Sequence, residues 1–253
     1  MNQRPYPLAA AWQLNPVWLI TLGWVLCLGL AVWGMPHLEG FFRWLEPGQR
    51  QVIYQRDAFA FLLLNHMQLV AVSAAMAIVI GVGTGIIVTR GWGRDFLPLV
   101  SQVASIGQTF PPVAVLALSV PLLGFGAKPV ILSLVLYGLL PIMRNTLVGL
   151  NDIDPAVRES ARGMGMSPLQ VLVRVELPLA LPVMLAGIRT SVTINIATAA
   201  IGSTIGARTL GDPVIAGLIN GNLAYTVQGA VLIGLLAVTV DQLFAAITPK
   251  RHG

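Results

Sequence analysis

The sequence predicts an all-α membrane protein of about six spanning helices, with a short helix pair set between the fourth and the fifth. Three observations predict it. The 253 residues are 56% hydrophobic and only 10% charged, with mean hydropathy +0.79, where a soluble domain carries roughly a quarter of its residues as charges. Charge-free stretches recur at Val17–Met35, Met67–Thr89, Phe96–Ala127, Leu179–Ile188 with Thr190–Ala207, and Leu223–Val240, close to or above the roughly 20 residues that carry a helix across hydrocarbon. The two-residue alternation of a membrane barrel is absent. In lipid every backbone group needs a partner within its own segment, so helices are the reading.

The spans fall near 16–35, 64–89, 97–120, 129–149, 179–206 and 223–246. The first holds the only cysteine, Cys27. One thiol makes neither a disulfide nor a metal cluster, so it is expected to be a packing residue in lipid. This run is also too long for a cleavable signal. Trp12, Trp18, Trp33, Trp44 and Trp92 fall near span ends, where an amphipathic ring is stable at the headgroups. Gly81, Gly83 and Gly85 of the second span read as small residues that let helices approach, not as a phosphate loop. In the third, Pro111–Pro112 and again Pro121 are expected to break the hydrogen-bond ladder, which bends the helix along a pathway or leaves a kink filled by neighbours. Gln108 and Thr109 beside that break, with Thr193, Asn195 and Thr198 of the fifth span, are candidate pathway residues together with Pro111 and Pro112. The same polar side chains also suit hydrogen bonding between helices.

Arg144 and Arg189 fall inside or at the ends of the fourth and fifth spans, where a central charge costs about 2.5–3.5 kcal/mol on insertion scales. They are expected to snorkel to the headgroups or to pair with Asp152, Asp154 or Glu159. Asp241 near the end of the sixth span is the only intramembrane acid.

Eight Lys and Arg lie on one side: Arg4, Arg90, Arg94, Arg158, Arg162, Arg174, Lys250 and Arg251. Five lie on the other: Arg43, Arg50, Arg56, Lys128 and Arg208. The bias places both termini and the 150–178 loop in the cytoplasm of a bacterial inner membrane. The net charge of +5 arises from such loops, and no nucleic-acid partner is expected. His37, His66 and His252 have no ligand spacing, so no metal and no cofactor is expected. Residues 1–60 read as an N-terminal helix with its loop, and residues 61–253 as the core.

The loop between spans four and five holds two helix starts. Asp154 followed by Pro155 is an N-cap with proline at the first helical position. Gly163 and Gly165 end that helix. Ser167-Pro168-Leu169-Gln170 opens a second with a capping box, and Pro178 closes the segment. Val157, Ala161 and Met164 share one face, and Leu169, Leu172 and Val173 another. Arg158 and Arg162 stand one turn apart and repel mildly, which makes Glu159 or an acidic partner welcome. A short amphipathic pair outside the membrane needs a surface to pack on.

Glu159-Ser160-Ala161, three residues, Gly165, nine residues and Val175-Glu176-Leu177-Pro178 resembles the "EAA" loop of binding-protein-dependent ABC importer permeases, E-A-A, three residues, G, nine residues, I-x-L-P. Ser160 stands for Ala and Val175 for Ile. The resemblance implies a type I ABC importer permease fold, two permease subunits forming the pore, an ATP-binding ABC subunit dimer that receives the elbow, and a periplasmic substrate-binding protein. It assigns coupling to the ATPase to Glu159, Ala161 and Gly165, with neighbours Arg158, Arg162, Gly163 and Met164. Gln108-Thr109-Phe110-Pro111-Pro112, the run Leu139 to Thr146, Glu176 to Pro182 and Ala186-Gly187-Ile188-Arg189-Thr190 resemble the branch that imports glycine betaine, choline or carnitine. In Ile205-Gly206-Ala207-Arg208-Thr209-Leu210-Gly211, Arg208 and Thr209 replace two glycines of that branch.

No G-x-x-x-x-G-K-[ST], H-E-x-x-H or G-x-S-x-G occurs, so catalysis is not expected of this chain and ATP hydrolysis falls to a partner. Three rivals keep the membrane and change the function: a permease for another small solute such as an amino acid, a carrier driven by protons or sodium with its site at the broken third span, and a non-transporting membrane scaffold.

Overall fold

Long apolar segments whose backbone bonds close on themselves give helices, and the computed structural model is built of helices and their connections over residues 16–91 and 93–248, the residues it describes. Arg4, Trp12, Trp92, Lys250, Arg251 and His252 lie outside them. Among the described residues eleven α-helices run in order: α1 Pro16–Gly34, α2 Glu39–Leu45, α3 Phe59–Thr89, α4 Leu97–Thr109, α5 Pro112–Leu123, α6 Ala127–Asn151, α7 Pro155–Gly163, α8 Pro168–Val171, α9 Leu177–Ala199, α10 Gly211–Asn220 and α11 Leu223–Ile247. Five stretches of them are long and apolar enough to cross a membrane: α1, α3, α6, α8 through α9, and α11.

The third predicted span is two helices. Phe110 and Pro111 are extended, with ψ of 135° and 137°, because consecutive prolines supply no N–H and exclude the helical conformation from the residue before each. At 13 and 12 residues, α4 and α5 each rise only about 20 Å, too short to cross alone. The second break expected at Pro121 does not occur. That proline sits inside the last turn of α5, and the chain turns at Gly124 and Gly126 instead.

The fifth span begins earlier than its sequence suggests. Pro178 does not close the preceding segment. Instead α8 runs through a π turn at Leu172–Glu176 directly into α9. Pro178 offers no hydrogen to the carbonyl four residues back, and its ring crowds that carbonyl. One residue inserted into the turn relieves the crowding without ending the helix. The second span likewise starts at Phe59 rather than 64, so residue 60 lies in the first turn of α3.

α6 is the central helix, flanked by α3 and α9. Glycines set the separation. A Cβ on Gly85 would stand 2.7 Å from Thr146 Cγ2, and one on Gly187 would stand 2.6 Å from Asn145 Cβ. Gly81 also faces α6, at 3.0 Å from Ile142, whereas Gly83 meets nothing. α1 lies outside this core against α11, joined by Thr239 Oγ1 donating to the Trp24 carbonyl at 3.3 Å. Cys27 is exposed on the outer surface of α1, the surface that lipid covers in a spanning helix.

The ends of the bundle differ. One end collects the loop at 46–58, the 206–212 turn and the start of α11. There Gln228, fully buried, donates to the Val52 carbonyl at 2.5 Å and accepts from the Tyr54 N–H at 3.0 Å. Arg208 pairs with Asp57 at the same end. The other end collects α7, α8, the end of α3 and the start of α9.

Candidate functional site

The site at the second end is built from the cap residues upward. Asp154 is the N-cap of α7 and accepts from the Ala156 N–H at 2.8 Å, with Pro155 at the first position. At the C-terminus Gly165 adopts φ +81°. Its N–H donates to the Arg162 carbonyl at 2.9 Å, and the Met166 N–H donates to the Ala161 carbonyl at 3.2 Å. These two bonds form a Schellman closure, with glycine at the left-handed position where other residues are strained. Gly163, by contrast, has ordinary helical geometry as the last residue of α7. Ser167 and Gln170 complete a reciprocal capping box at 3.4 and 2.8 Å.

α7 therefore projects as a capped nine-residue elbow. Only Ala161 on it is buried. Glu159, Arg162, Gly163, Met164 and Gly165 are exposed. Met164 is 70% exposed, and Leu169 at the start of α8 is 68%, an apolar surface that no other described residue covers.

Arg158 turns the other way. Its Nε donates to Glu176 Oε1 at 2.8 Å, while Arg90 Nη2 donates to Oε2 at 2.7 Å. The Arg158 fork also reaches the Leu150 carbonyl at the end of α6 and the Ile153 carbonyl just past it. Glu176 is 3% exposed. Burying an unpaired carboxylate is costly, and here two guanidinium groups hold it ionised. The acid expected for Arg158 in sequence was Glu159 or a partner's; the structure gives it Glu176, eighteen residues on. This cluster sits over an apolar group of Leu150, Ile153, Ala180 and Met184, with Val82, Ile86 and Leu177 against it.

Arg189 corrects a second expectation. It forms a bidentate pair with Asp241, at 2.5 and 2.6 Å, rather than snorkelling or meeting Asp152, Asp154 or Glu159. The pair ties α9 to α11. Arg144 is exposed on α6 about two turns before its end.

The candidate pathway residues do not converge. Gln108 donates to the Tyr137 carbonyl at 2.9 Å. Asn195 is fully buried and donates to the Leu134 carbonyl at 3.0 Å, its Oδ1 unpartnered among the described residues. Thr193 and Thr198 bond back to the Arg189 and Ile194 carbonyls of their own helix, and both are half-buried. Thr109 and Pro111 are exposed, and Pro112 is half-buried at the start of α5.

Two further polar faces come from outside the candidate set. Ser101, Gln102 and Ser105 share a groove of ≈ 420 Å³ with Thr109 along α4. Asn65 and Gln68 of α3 line a cavity of ≈ 300 Å³ with Arg208. The signal for α4 is present in the sequence: positions 101, 105 and 109 recur at helical spacing.

Residues 60–253 match the family described as binding-protein-dependent transport system inner membrane component. The chain is 37% identical over 221 residues to the osmoprotectant import permease protein OsmY of Salmonella typhimurium, covering 87% of this chain and 89% of that one. It is 43% identical over 209 residues to the choline transport system permease protein OpuBD of Bacillus subtilis, covering 79% and 89%. It is 40% identical over 186 residues to the carnitine transport permease protein OpuCD of Listeria monocytogenes, covering 71% and 80%. Among solved structures, a chain of the inward-facing MetNI methionine ABC transporter superposes with TM-score 0.64 at 24% identity, over 77% of this chain and all of that one. At that identity the likeness concerns the fold.

Proposed function

The chain belongs to the family of binding-protein-dependent transport inner-membrane components, and from that membership we propose that it passes a quaternary-ammonium osmolyte, such as glycine betaine, choline or carnitine, into the cell. It is a multi-pass inner-membrane permease subunit of an ABC importer, and family membership implies an ATP-binding subunit and a substrate-binding protein as partners. In this proposal two permease subunits enclose the path and an ATPase dimer grips the two elbows. The binding protein docks at the opposite end, and both termini face the cytoplasm.

The observation that carries the reading is the elbow: a capped helix closed at Gly165 that offers Glu159, Arg162 and Met164 to a partner surface. The names of the relatives support the cargo, since osmoprotectants, choline and carnitine recur among them. An aromatic cage for the cationic head is expected chiefly in the binding protein, because only 7% of this chain is aromatic. The proton-carrier alternative needs a titratable acid in the membrane, and Asp241 is held in a bidentate pair with Arg189.

The test is uptake into proteoliposomes of labelled glycine betaine, choline and carnitine beside a panel of amino acids. The permease is assembled with its ATPase and binding-protein subunits. ATP-dependent uptake of one of the three osmolytes is expected. Uptake of amino acids alone would refute the cargo, and uptake by the permease without ATPase would refute the importer.

A further inference from the structure

We infer that Glu176 is the joint through which α7 moves the membrane helices, and that Arg158 transmits that motion rather than contacting the ATPase. The inference rests on the importer reading above.

α7 has little else to hold it. It is tied to α6 by the three residues 152–154 and to α8 by the turn at 164–167. Its one buried side chain is Ala161, and a single methyl group contributes little apolar contact. A lever fixed so lightly would rock about its own peptide links without moving the helices behind it. Arg158 changes this. Its guanidinium reaches the Leu150 carbonyl at the α6 end, the Ile153 carbonyl just past it, and the α9 start at Glu176. Through the second oxygen of Glu176 it reaches Arg90, just past α3. Four elements are thus joined through Arg158, Arg90 and one carboxylate that is almost sealed from water, where charge-assisted bonds are strong and directional.

The π turn at Leu172–Glu176 lies at the same point. One additional residue in a turn rotates the helix before it by roughly 100° relative to the helix after it. The turn therefore lets Glu176 face Arg90 and Arg158 while α8 and α9 on either side keep their own apolar faces, Val171 and Ala180 both being buried. The α3, α6 and α9 core is the tightly packed part of the chain, so a push at α7 is delivered there through Arg158 and Glu176.

The experiment uses the complete importer in proteoliposomes, with solute transported per ATP hydrolysed as its readout. A residue that only holds the fold together would lower transport and ATPase activity in parallel. For Glu176→Gln and for Arg158→Gln, transport per ATP is expected to fall about ten-fold or more while the ATPase subunits remain bound and active. The double variant is expected to lose no more than the worse single one, since both remove the same link. Glu176→Asp, which keeps the charge, is expected to recover part of the ratio. A wild-type ratio in Glu176→Gln overturns the inference, as does loss of the ATPase subunits from Arg158→Gln, which would make Arg158 a docking residue. Should Glu176→Gln fail to insert, Arg158→Lys keeps the charge but removes the fork, and an unchanged ratio there is equally fatal. Wild-type importer without ATP-driven uptake would instead refute the importer reading itself.

Discussion

Two glycines on the elbow, two residues apart, are expected to respond to substitution with opposite signs. Gly165 holds φ +81°, and a Cβ built there meets nothing within 4 Å. The Cβ of a valine there meets open space, so the effect is conformational at the backbone. If the backbone stays left-handed, the strain is about 1–2 kcal/mol. If it relaxes, the two closing bonds, Gly165 to Arg162 and Met166 to Ala161, are lost at about 0.5–1.5 kcal/mol each. Either route costs about 1–3 kcal/mol, a factor of about 5 to 150 in the population of the closed elbow. A nine-residue helix with one buried alanine has little local stability to absorb this. The loss should then appear as fraying of α7, not as unfolding of the bundle. Gly163 is helical and also meets nothing within 4 Å, so Gly163→Ala should stabilise α7 by about 0.5–1 kcal/mol. Amide hydrogen exchange across residues 155–166, in the purified protein in detergent, reads both. Faster exchange in Gly165→Val and slower in Gly163→Ala is expected, with α6 unchanged. Equal exchange in Gly165→Val and wild type, or faster exchange in Gly163→Ala, would show that the closure at Gly165 is not what holds the helix.

Removing the N-cap with Asp154→Ala should cost about 1 kcal/mol and speed exchange at the first turn of α7; no change there would mean the 2.8 Å bond to Ala156 adds nothing. At the α6–α9 crossing, a Cβ on Gly138 would stand 2.5 Å from Ser191 Oγ and 3.0 Å from Asn195 Nδ2. Gly138→Ala should accordingly lower stability by about 1–3 kcal/mol, read as an earlier thermal transition in detergent. The Arg189–Asp241 pair is about a third exposed, at 37% and 32%, so its coupling in a double-mutant cycle should be modest, about 1–2 kcal/mol; a value near zero would mean the two groups do not hold α9 to α11. Cysteines introduced at Ser101, Ser105 and Thr109 in a Cys27→Ser background should react with a water-soluble thiol reagent in membranes, whereas those at Leu118 and Leu122 should not. Equal labelling of both sets would refute a polar face on α4 that meets water.

Local chemistry was legible from sequence because it involves neighbours. The Asp154 cap, the Ser167–Gln170 box and the break at Pro111 each need only residues within one turn, and each forms as its residue types dictate. The pairings of the charged residues were not legible. Arg158 finds Glu176 and Arg189 finds Asp241, eighteen and fifty-two residues away, and no helical periodicity connects them. The sequence suggested nearer acids, Asp152, Asp154 and Glu159, which share a loop with Arg158 but face elsewhere. Pro178 misled for a related reason. A proline predicts interruption of a helix, yet whether the chain stops or inserts a π turn depends on what the continued helix packs against, here Ala180 and Met184 under the α6 end. Asn195 and Gln108 bond to α6 carbonyls, the hydrogen bonding between helices that their residue types also suit, while Asn65 and Gln68, which line a cavity, belong to a span whose glycines are its more conspicuous feature.

The broken third span links these observations to transport. Irregular backbone at membrane depth is tolerated only where protein or a water-filled cavity covers it. Two consecutive prolines are a mild way to make such a break, because Pro112 opens α5 at a position whose N–H would have had no partner anyway, and the Pro111 carbonyl is taken up by Ala114 and Val115 at 2.9 and 3.2 Å. The face left uncovered is that of α4, carrying Ser101, Gln102, Ser105 and Thr109. Ser105 and Thr109 donate back to the Ser101 and Ile106 carbonyls of α4 itself, each at 2.8 Å. α5 beyond the break has the opposite character, with Leu118 69% and Leu122 86% exposed, a surface at home in hydrocarbon or against an apolar neighbour. The break thus separates α4, which carries one polar face beside exposed Leu99 and Val103, from α5, whose exposed surface is apolar. α4 lies toward the end that bears the elbow, since it follows α3, and Arg90 just past α3 is anchored at Glu176.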